Sequence, residues 1–221
     1  AKSEIVESHP VFQGAEVVSI RLPSMPVMEF SDLKEAAERI GVNGTYDLIF
    51  YGRLESYKGI DLLLEANRYL MQSDRAVKIL IVGGRGDLKA VVRGAVENDP
   101  NVDFVDTYVS NRALAEFIID SKAVILPYRD ATGTQTIQIA NYYYRPVIVN
   151  TVGCFDEYVL EGENGYFISE MTPEALGETI CNVLMKLNSA DYNPYNVDRT
   201  GDALFNIDRI ANEIETLVRG D

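Results

Sequence analysis

The stretch that decides the fold extends from Asp47 to Met71 and reads DLIFYGRLESYKGIDLLLEANRYLM. It opens with a short β-rich run, Asp47 to Tyr51. After a polar loop, side chains recur at the i, i+3, i+4, i+7 spacing of a helix that packs one face against a sheet. The positions with this spacing are Ile60, Leu63, Leu64, Asn67 and Met71. The stretch therefore predicts a strand, a loop and a helix, the repeating unit of a parallel α/β sheet.

The same alternation continues along the chain. Further β-rich runs are Lys78 to Val82, Val102 to Val105, Ala123 to Leu126, Val147 to Asn150 and Tyr166 to Ile168. Amphipathic segments separate them, and one begins with an N-cap, Thr172, and a proline at the first helical position, Pro173. This order predicts the α/β class, a Rossmann-like, doubly wound parallel sheet of about six strands with helices on both faces. We expect the strand after Gly44 to lie at the centre of the sheet.

The pattern divides the chain into three segments. Residues 1–44 are interrupted by prolines and contain one helix signal, Asp32 to Ile40, which predicts an interdomain lead-in with a short helix. The only histidine, His9, lies there and is interpreted as structural. Residues 45–190 are expected to form the α/β domain, and residues 191–221 a linker and a C-terminal helix that packs back.

Composition limits the possible ligands and surroundings. The net charge is −14 and no basic run occurs, so nucleic acid is not an expected partner. Cys154 and Cys181 lie far apart without a nearby histidine, which argues against zinc, redox and disulfide sites and favours a cytoplasmic location. The chain starts at Ala1 without a secretory signal, so we expect a fragment or a processed form. In so acidic a protein, an anionic ligand needs a local cluster of donors.

Candidate donors follow the first predicted strand. Ligands of open parallel sheets bind at the carboxyl ends of the strands. There, Gly52, Arg53 and Lys58 bring two cations to the rim of the sheet. Arginine offers a planar fork and lysine a mobile point charge, a combination that suits a diphosphate. The alternative interpretation is that both cations are ordinary solvated residues.

Two further loops contain less specific signals. After the second strand, the run from Gly83 to Gly86 allows close approach of the backbone to a ligand, although such a run alone is more often a turn. It lacks the Gly-x-Gly-x-x-Gly spacing of a dinucleotide site, which counts against a dehydrogenase-like protein. After the fourth strand, Thr134, Gln135 and Thr136 lead into a helix. An anion fits that position, and so does a simple N-capping loop.

Taken together, these loops resemble the C-terminal, nucleotide-sugar-binding domain of retaining glycosyltransferases of the GT-B fold, the group 1 or family 4 class. The resemblance covers most of Tyr46 to Leu187. Gly52 to Gly59 is similar to the family's Gly-Arg-Leu…Lys-Gly stretch, in which the Arg and Lys hold the donor diphosphate. Val152 to Tyr166 is similar to its Gly-Gly…Pro-Glu…Gly-x-x-Gly ending. Several linked motifs in the right order are more specific than any one alone.

The resemblance implies a donor site and leaves the catalytic residues unassigned. It places the nucleotide base near Tyr108 and Val109, while Gln135 and Thr136 offer backbone amides to phosphate. The implied binding residues are Gly52, Arg53, Lys58, Gly83, Tyr108, Val109, Asp130, Thr134, Gln135, Thr136 and Gln138. The implied ligand is a nucleoside diphosphate sugar with uracil or guanine as its base. No metal and no other cofactor is implied, because the family neutralises the leaving diphosphate with Arg, Lys and a helix end.

The sequence also departs from the family pattern. The family usually has a Glu-x₇-Glu pair after the fourth strand, and the nearest equivalent at that spacing is Asp130 with Gln138. Counted back from Arg145-Pro146 instead, the pair falls on Ala131 and Ile139. Tyr144 replaces a customary glycine. These departures put the ribose and sugar contacts in doubt and are compatible with diphosphate binding.

Two functions from different classes remain open at this point. The first is an enzyme half that transfers a sugar with retention of configuration, in cell-surface polysaccharide or glycan synthesis, together with an N-terminal acceptor domain. This chain is too short to contain such a domain, which is therefore an expected partner. Peripheral membrane association through that domain stays open. The second is a non-catalytic nucleotide-sugar-binding or scaffold module of the same fold. Turnover of a sugar donor by the longer gene product separates the two.

Overall fold

The computed structural model describes residues 20–23, 26–29, 44–131 and 133–219. The helix expected from Asp32 to Ile40 and the lone histidine, His9, lie outside the described residues. The domain boundary expected near residue 44 therefore stays a prediction.

A parallel sheet forms the centre of the fold. Its strands are β1 (Tyr46–Tyr51), β2 (Ile79–Val82), β3 (Val102–Val105), β4 (Ser121–Leu126), β5 (Val147–Val149) and β6 (Gly165–Phe167). They are ordered β3-β2-β1-β4-β5-β6, and every pairing is parallel. The predicted α/β class, the number of strands and the central place of β1 are confirmed.

Burial explains why these runs become strands. Leu48, Ile49 and Phe50 of β1 are fully buried, as are the last four residues of β4, 123–126. A parallel sheet is covered on both faces, so its central strands need uninterrupted apolar residues rather than an alternating pattern. The sequence of β1 and β4 meets this requirement, and these two strands form the middle of the core.

Helices cover both faces of the sheet. They are α1 (Ile60–Met71), α2 (Lys89–Asn98), α3 (Asn111–Ile119), α4 (Thr136–Tyr142), α5 (Phe155–Tyr158), α6 (Pro173–Leu187), α7 (Tyr195–Phe205) and α8 (Ile207–Arg219). A short 3₁₀ turn, Ser56–Lys58, precedes α1. The cap predicted at Thr172 is present, because its hydroxyl accepts a hydrogen bond from the backbone nitrogen of Ala175 at 3.2 Å.

The C-terminal segment contains two helices where a linker and one helix are expected. Helix α7 lies in the polar stretch for which the sequence predicts a linker. The helix was not predicted because its buried face has few large apolar residues. Val197, Thr200, Gly201 and Phe205 form that face. Phe205 stacks on Tyr158 with ring centroids 5.4 Å apart, which fixes the end of α7 against α5.

Tyr144 occupies the position at which a glycine is customary in the family that the sequence resembles. Its φ is 59°, in the left-handed region that glycine adopts without steric cost and that other residues seldom adopt. The ring packs edge-on against Tyr195 of α7 with centroids 5.1 Å apart. This contact offsets part of the backbone cost, since an aromatic pair contributes about 0.5–1.5 kcal/mol beyond its area burial.

A buried amide network joins α4 to the strand edge at β5 and β6. The side-chain nitrogen of Asn164 donates to Asn141 Oδ1 at 2.8 Å and to the Tyr158 carbonyl at 3.0 Å, and its oxygen accepts from Leu160 N at 2.7 Å. Asn141 in turn donates to the Arg145 carbonyl at 3.2 Å. Both asparagines are almost completely buried. Their amides therefore supply, in place of water, the hydrogen bonds of backbone groups that are not paired in the sheet.

Replacing Asn164 with alanine should destabilise the fold by about 2–4 kcal/mol, because it leaves several buried polar groups without a partner. Urea denaturation measures this loss. The matched control is Asn98→Ala on α2, since Asn98 is exposed and its side chain donates only to the Gly94 carbonyl. That change should stay within about 0.5 kcal/mol. Equal stability of the two variants would contradict a structural role for the network.

Candidate functional site

A cavity opens at the carboxyl ends of β1, β2 and β3 and has a volume of about 850 Å³. Its walls are the last residues of β1 and β2, the loops that follow β1, β2 and β3, and the start of the helix after β3, at the edge where ligands of open parallel sheets bind. The lining residues are Tyr51, Gly52, Arg53, Val82, Gly83, Gly84, Arg85, Asp106, Thr107, Tyr108, Val109, Asn111 and Leu114. Five of the eleven residues expected to bind a ligand are in this wall: Gly52, Arg53, Gly83, Tyr108 and Val109.

Two glycines let the loops after β1 and β2 pack against each other. A Cβ atom on Gly83 would overlap the carbonyl oxygen of Gly52, and one on Gly86 would overlap that of Leu54. The loops are also joined by a hydrogen bond from Leu54 N to the Arg85 carbonyl at 2.6 Å. The glycine run is therefore a contact surface between two loops, in addition to a place where backbone faces the cavity.

Arg53 stands at the rim of the cavity with 72% of its side chain exposed. Its guanidinium pairs with Glu55 at 2.5 Å, between Nη2 and Oε1. An exposed pair of this kind contributes at most about 1 kcal/mol. The fork is thus available to an incoming anion that displaces or shares this carboxylate.

Lys58 lies beside the cavity wall rather than among the lining residues. Its Nζ is 3.0 Å from the point where a Cβ on Gly52 would stand, and 5.0 Å from the centre of the Tyr128 ring. The side chain is half-buried, and this burial lowers the pKa of the ammonium below its usual value. A partly dehydrated cation therefore stands against Gly52, within reach of a ligand in the cavity.

The loop after β3 contributes an aromatic ring and a charged cluster. Tyr108 is 91% exposed, and Val109 beside it is partly buried. Asp106 pairs with Lys89 at 2.6 Å and with Arg93 at 2.5 Å, and these cations lower the pKa of its carboxyl group. Asp106 was missed from the sequence, although its place directly after β3 could have indicated it.

The loop after β4 lies next to the cavity without lining it. The Tyr51 hydroxyl, in the cavity wall, donates to the carbonyl of Thr136 at 3.4 Å. The backbone nitrogen of Thr136 donates to Thr134 Oγ1 at 3.1 Å, so this amide already has an acceptor. Gln135, just before α4, is exposed. The loop after β4 therefore contacts the loop after β1, through the Tyr51 hydroxyl and through hydrogen bonds of Arg129 to residues 56–57, without lining the cavity.

Asp130 and Gln138 occupy different environments. Asp130 is exposed, whereas Gln138 is 1% exposed. With its nitrogen toward the loop, the Gln138 amide donates to the carbonyls of Thr134 at 2.9 Å and Gln135 at 3.3 Å. Gln138 therefore stabilises the loop, and neither residue lines the cavity.

Residues 20–23, 26–29, 44–131 and 133–219 contain no group of three or more His, Cys, Asp or Glu side chains that could hold a metal ion. No helix among them is long and apolar enough to cross a membrane.

The sequence comparison decides the family. A model of the group 1 glycosyl transferases matches residues 45–186. The chain belongs to this family. The matched range includes the whole sheet and every loop that borders the cavity, so the candidate site is part of the glycosyltransferase domain.

Individual relatives agree with this assignment. Glycogen synthase of Thermus thermophilus is 31% identical over 144 residues, which make up 65% of this chain and 32% of that protein. The chain spans about a third of the length of the curated relatives it matches. Sucrose-phosphate synthase from Thermosynechococcus elongatus superposes with a TM-score of 0.73 at 21% identity, over 99% of this chain and 56% of that one. HepE of Anabaena, solved in complex with UDP, superposes with a TM-score of 0.69 at 16% identity, over 100% of this chain and 63% of that one.

In this glycosyltransferase domain, Gly83→Ala should destabilise the fold by about 1–3 kcal/mol, because the new methyl group forces the two loops apart. Thermal and urea denaturation measure the effect. Gly94→Ala on α2 is the matched control, since a Cβ there meets nothing within 4 Å. In a helix interior that change should stabilise by up to about 1 kcal/mol. A neutral Gly83→Ala variant would show that the loop contact is dispensable.

Proposed function

We propose that the cavity binds the nucleoside diphosphate of an activated sugar, and that the chain is the donor-binding half of a glycosyltransferase. In this proposal an N-terminal acceptor domain completes the enzyme. The sugar is transferred with retention of configuration, in the synthesis of a cell-surface polysaccharide or another glycan. The observation that supports the proposal best is the cavity itself, with Arg53 at its rim and Lys58 against its wall, in a chain of this family.

The dimensions of the cavity suit such a ligand. Small-molecule sites usually enclose about 300–1,000 Å³, and this cavity has about 850 Å³. The exposed ring of Tyr108 offers a surface on which a base can stack, which is worth about 1–3 kcal/mol per base in nucleic-acid complexes. UDP is the first nucleotide to test because the Anabaena relative was solved with it, and GDP is the second.

The diphosphate is proposed to lie between Arg53 and Lys58. Arg53 supplies a fork that matches phosphate geometry, and Lys58 supplies a partly dehydrated point charge. Gly52 and Gly83, which lack side chains, leave room for phosphate oxygens near the backbone. In the loop after β4, phosphate would meet the backbone nitrogen of Gln135, because the Thr136 amide donates to Thr134 Oγ1 and the Thr134 hydroxyl donates to Thr136 Oγ1 at 2.9 Å.

The proposed chemistry is electrostatic. As the bond from sugar to diphosphate breaks, negative charge grows on the leaving group. Arg53 and Lys58 neutralise that charge, and donors fixed before the reaction do so without reorganisation. Groups that bind the acceptor belong to the proposed N-terminal domain. In this proposal, Arg53 and Lys58 bind the nucleotide and neutralise the negative charge that forms on its diphosphate.

The second candidate is a non-catalytic module of the same fold. The specific observation in its favour is Gln138, a neutral and buried side chain at the position nearest to the second carboxylate of the family's usual pair. Without such carboxylates the sugar itself has fewer partners. Transfer or hydrolysis of a nucleotide sugar by a longer protein that contains this chain would exclude this candidate.

Arg53→Ala and Lys58→Ala should each weaken binding of UDP or GDP by about ten- to a hundredfold, because each removes a charge-assisted hydrogen bond. Arg53, which is exposed and screened, should lie at the low end of that range. Arg53→Lys should also lose affinity, since a point charge cannot replace a fork. Isothermal titration calorimetry measures binding. In thermal melts, Arg53→Ala should change the stability by no more than about 0.5 kcal/mol, and Lys58→Ala, which loses its ring contacts, by up to about 2 kcal/mol.

Two variants control for the loss of a positive charge. Arg199 is exposed on α7, and Lys186 stands over the ring of Tyr166 at 4.9 Å, as Lys58 stands over Tyr128. Arg199→Ala and Lys186→Ala should leave affinity unchanged. If the wild-type chain binds nucleotide, and the two site variants and the two control variants with alanine all bind it equally well, the phosphates lie elsewhere.

The isolated chain should bind nucleotide without transferring sugar, because the proposed acceptor site is in another domain. Release of UDP from UDP-sugars, or of GDP from GDP-sugars, measures turnover with and without added glycan acceptors. A longer gene product that contains this chain serves as the positive control. Robust transfer by the 221-residue chain alone would contradict the two-domain proposal.

A further inference from the structure

Lys58 is held by aromatic rings instead of a carboxylate. Its Nζ lies 5.0 Å from the centre of the Tyr128 ring and 5.9 Å from that of Tyr57. The two rings meet edge-on, with centroids 6.1 Å apart. Within the described part of the chain, no carboxylate lies at ion-pairing distance from Lys58, and the nearby Glu55 is paired with Arg53.

The turn that contains Lys58 rests on the segment directly after β4. The backbone nitrogen of Arg129 donates to the Tyr57 carbonyl at 2.7 Å, and its guanidinium donates to the Ser56 carbonyl at 2.7 Å. The same guanidinium forms a two-pronged pair with Asp61 at 2.7 and 2.8 Å, on the other side of Lys58. The position of the turn, and with it the start of the Lys58 side chain, is therefore fixed by residues 127–129.

We propose that Tyr128 is a positioning residue, whose buried ring holds the Lys58 ammonium against the cavity wall at Gly52 in the orientation that receives a diphosphate. This inference rests on the proposed function, because it presupposes that Lys58 binds the donor phosphates. Tyr128 itself is 2% exposed and is not among the residues that line the cavity, so it acts through Lys58.

A ring suits this task better than a carboxylate. A carboxylate would have to be displaced by the diphosphate and would repel it, as Glu55 does beside Arg53. The face of an aromatic ring attracts a cation without a net negative charge. A lysine held in this way has already lost most of its rotamer freedom, so less is lost when the ligand binds. Burial against the ring also removes water from the ammonium, which strengthens its attraction to phosphate.

The Tyr128 hydroxyl allows the ring to be tested separately. In the described part of the chain it makes no hydrogen bond of ordinary geometry, although Thr136 is close enough to influence its pKa. Burial raises the pKa of this phenol further above its usual value, so it stays neutral. Tyr128→Phe therefore retains the ring and removes a group on which the proposal does not depend.

The test is a double-mutant cycle on the 221-residue chain, with UDP and GDP titrated separately. Tyr128→Phe should bind within about twofold of the wild type, whereas Tyr128→Leu should bind about three- to tenfold more weakly. In the Lys58→Ala background, Tyr128→Leu should cause no further loss. The matched control is Tyr166→Leu, another buried tyrosine under a lysine, which should lower the melting temperature without changing affinity.

Tyr57→Leu covers the case in which Tyr128→Leu does not fold, because Tyr57 is 41% exposed. It should weaken binding by about twofold, and only when Lys58 is present. The inference would be overturned if Tyr128→Leu lowered the nucleotide affinity equally in the wild-type and Lys58→Ala backgrounds, since Tyr128 would then act through the fold and not through Lys58. A Tyr128→Phe variant as weak as the Tyr128→Leu variant would also overturn it.

Failure of the proposed function gives a different result. If the wild type binds neither nucleotide, or if Lys58→Ala binds as well as the wild type, the proposed diphosphate site is wrong and the inference falls with it. If Lys58→Ala weakens binding and both Tyr128→Leu and Tyr57→Leu leave it unchanged, the site stands and only the positioning role of Tyr128 is refuted.

Discussion

The parallel pairing of β1 with β2 on one side and β4 on the other is the constraint on which the rest of the structure depends. Because all strands run in one direction, their carboxyl ends lie at one edge, and each following loop must turn over that edge before its helix begins. The loops are thereby forced into contact. Gly83 makes this possible, since any side chain there would overlap the backbone at Gly52. The cavity is thus a consequence of strand direction and of missing Cβ atoms.

The candidate site concentrates positive charge in a protein of net charge −14, and two of its cations, Arg53 and Lys58, are held differently. Arg53 is exposed and paired with a carboxylate, so salt screens its field over about 8–10 Å. Lys58 is half-buried against tyrosine rings, where screening is weaker. Long-range attraction of an anion to Arg53 is therefore limited, whereas the proposed short-range binding at Lys58 would depend little on the acidic surface.

Much of the fold could be predicted, because buried parallel strands have uninterrupted apolar sequences and the helices between them have apolar residues at helical spacing. The rule that ligands bind at strand ends indicated Arg53 and Gly83, and the family resemblance indicated Tyr108; all three line the cavity. Other features depend on side-chain direction, which the sequence does not encode locally. The contact of Tyr128 with Lys58 joins residues far apart in the chain, and the Thr136 amide is engaged by Thr134 only because of the local turn.

The C-terminal helices show a further limit of sequence reading, and Tyr144 shows why they matter. The left-handed backbone of this residue is compensated by a ring contact with Tyr195, at the start of α7. A chain cut before α7 would keep the unfavourable backbone and lose its compensation, along with the stack between Phe205 and Tyr158. The turn after α4 and helix α7 are therefore coupled through this contact, and opening of α7 would leave the C-terminal end of α4 without it.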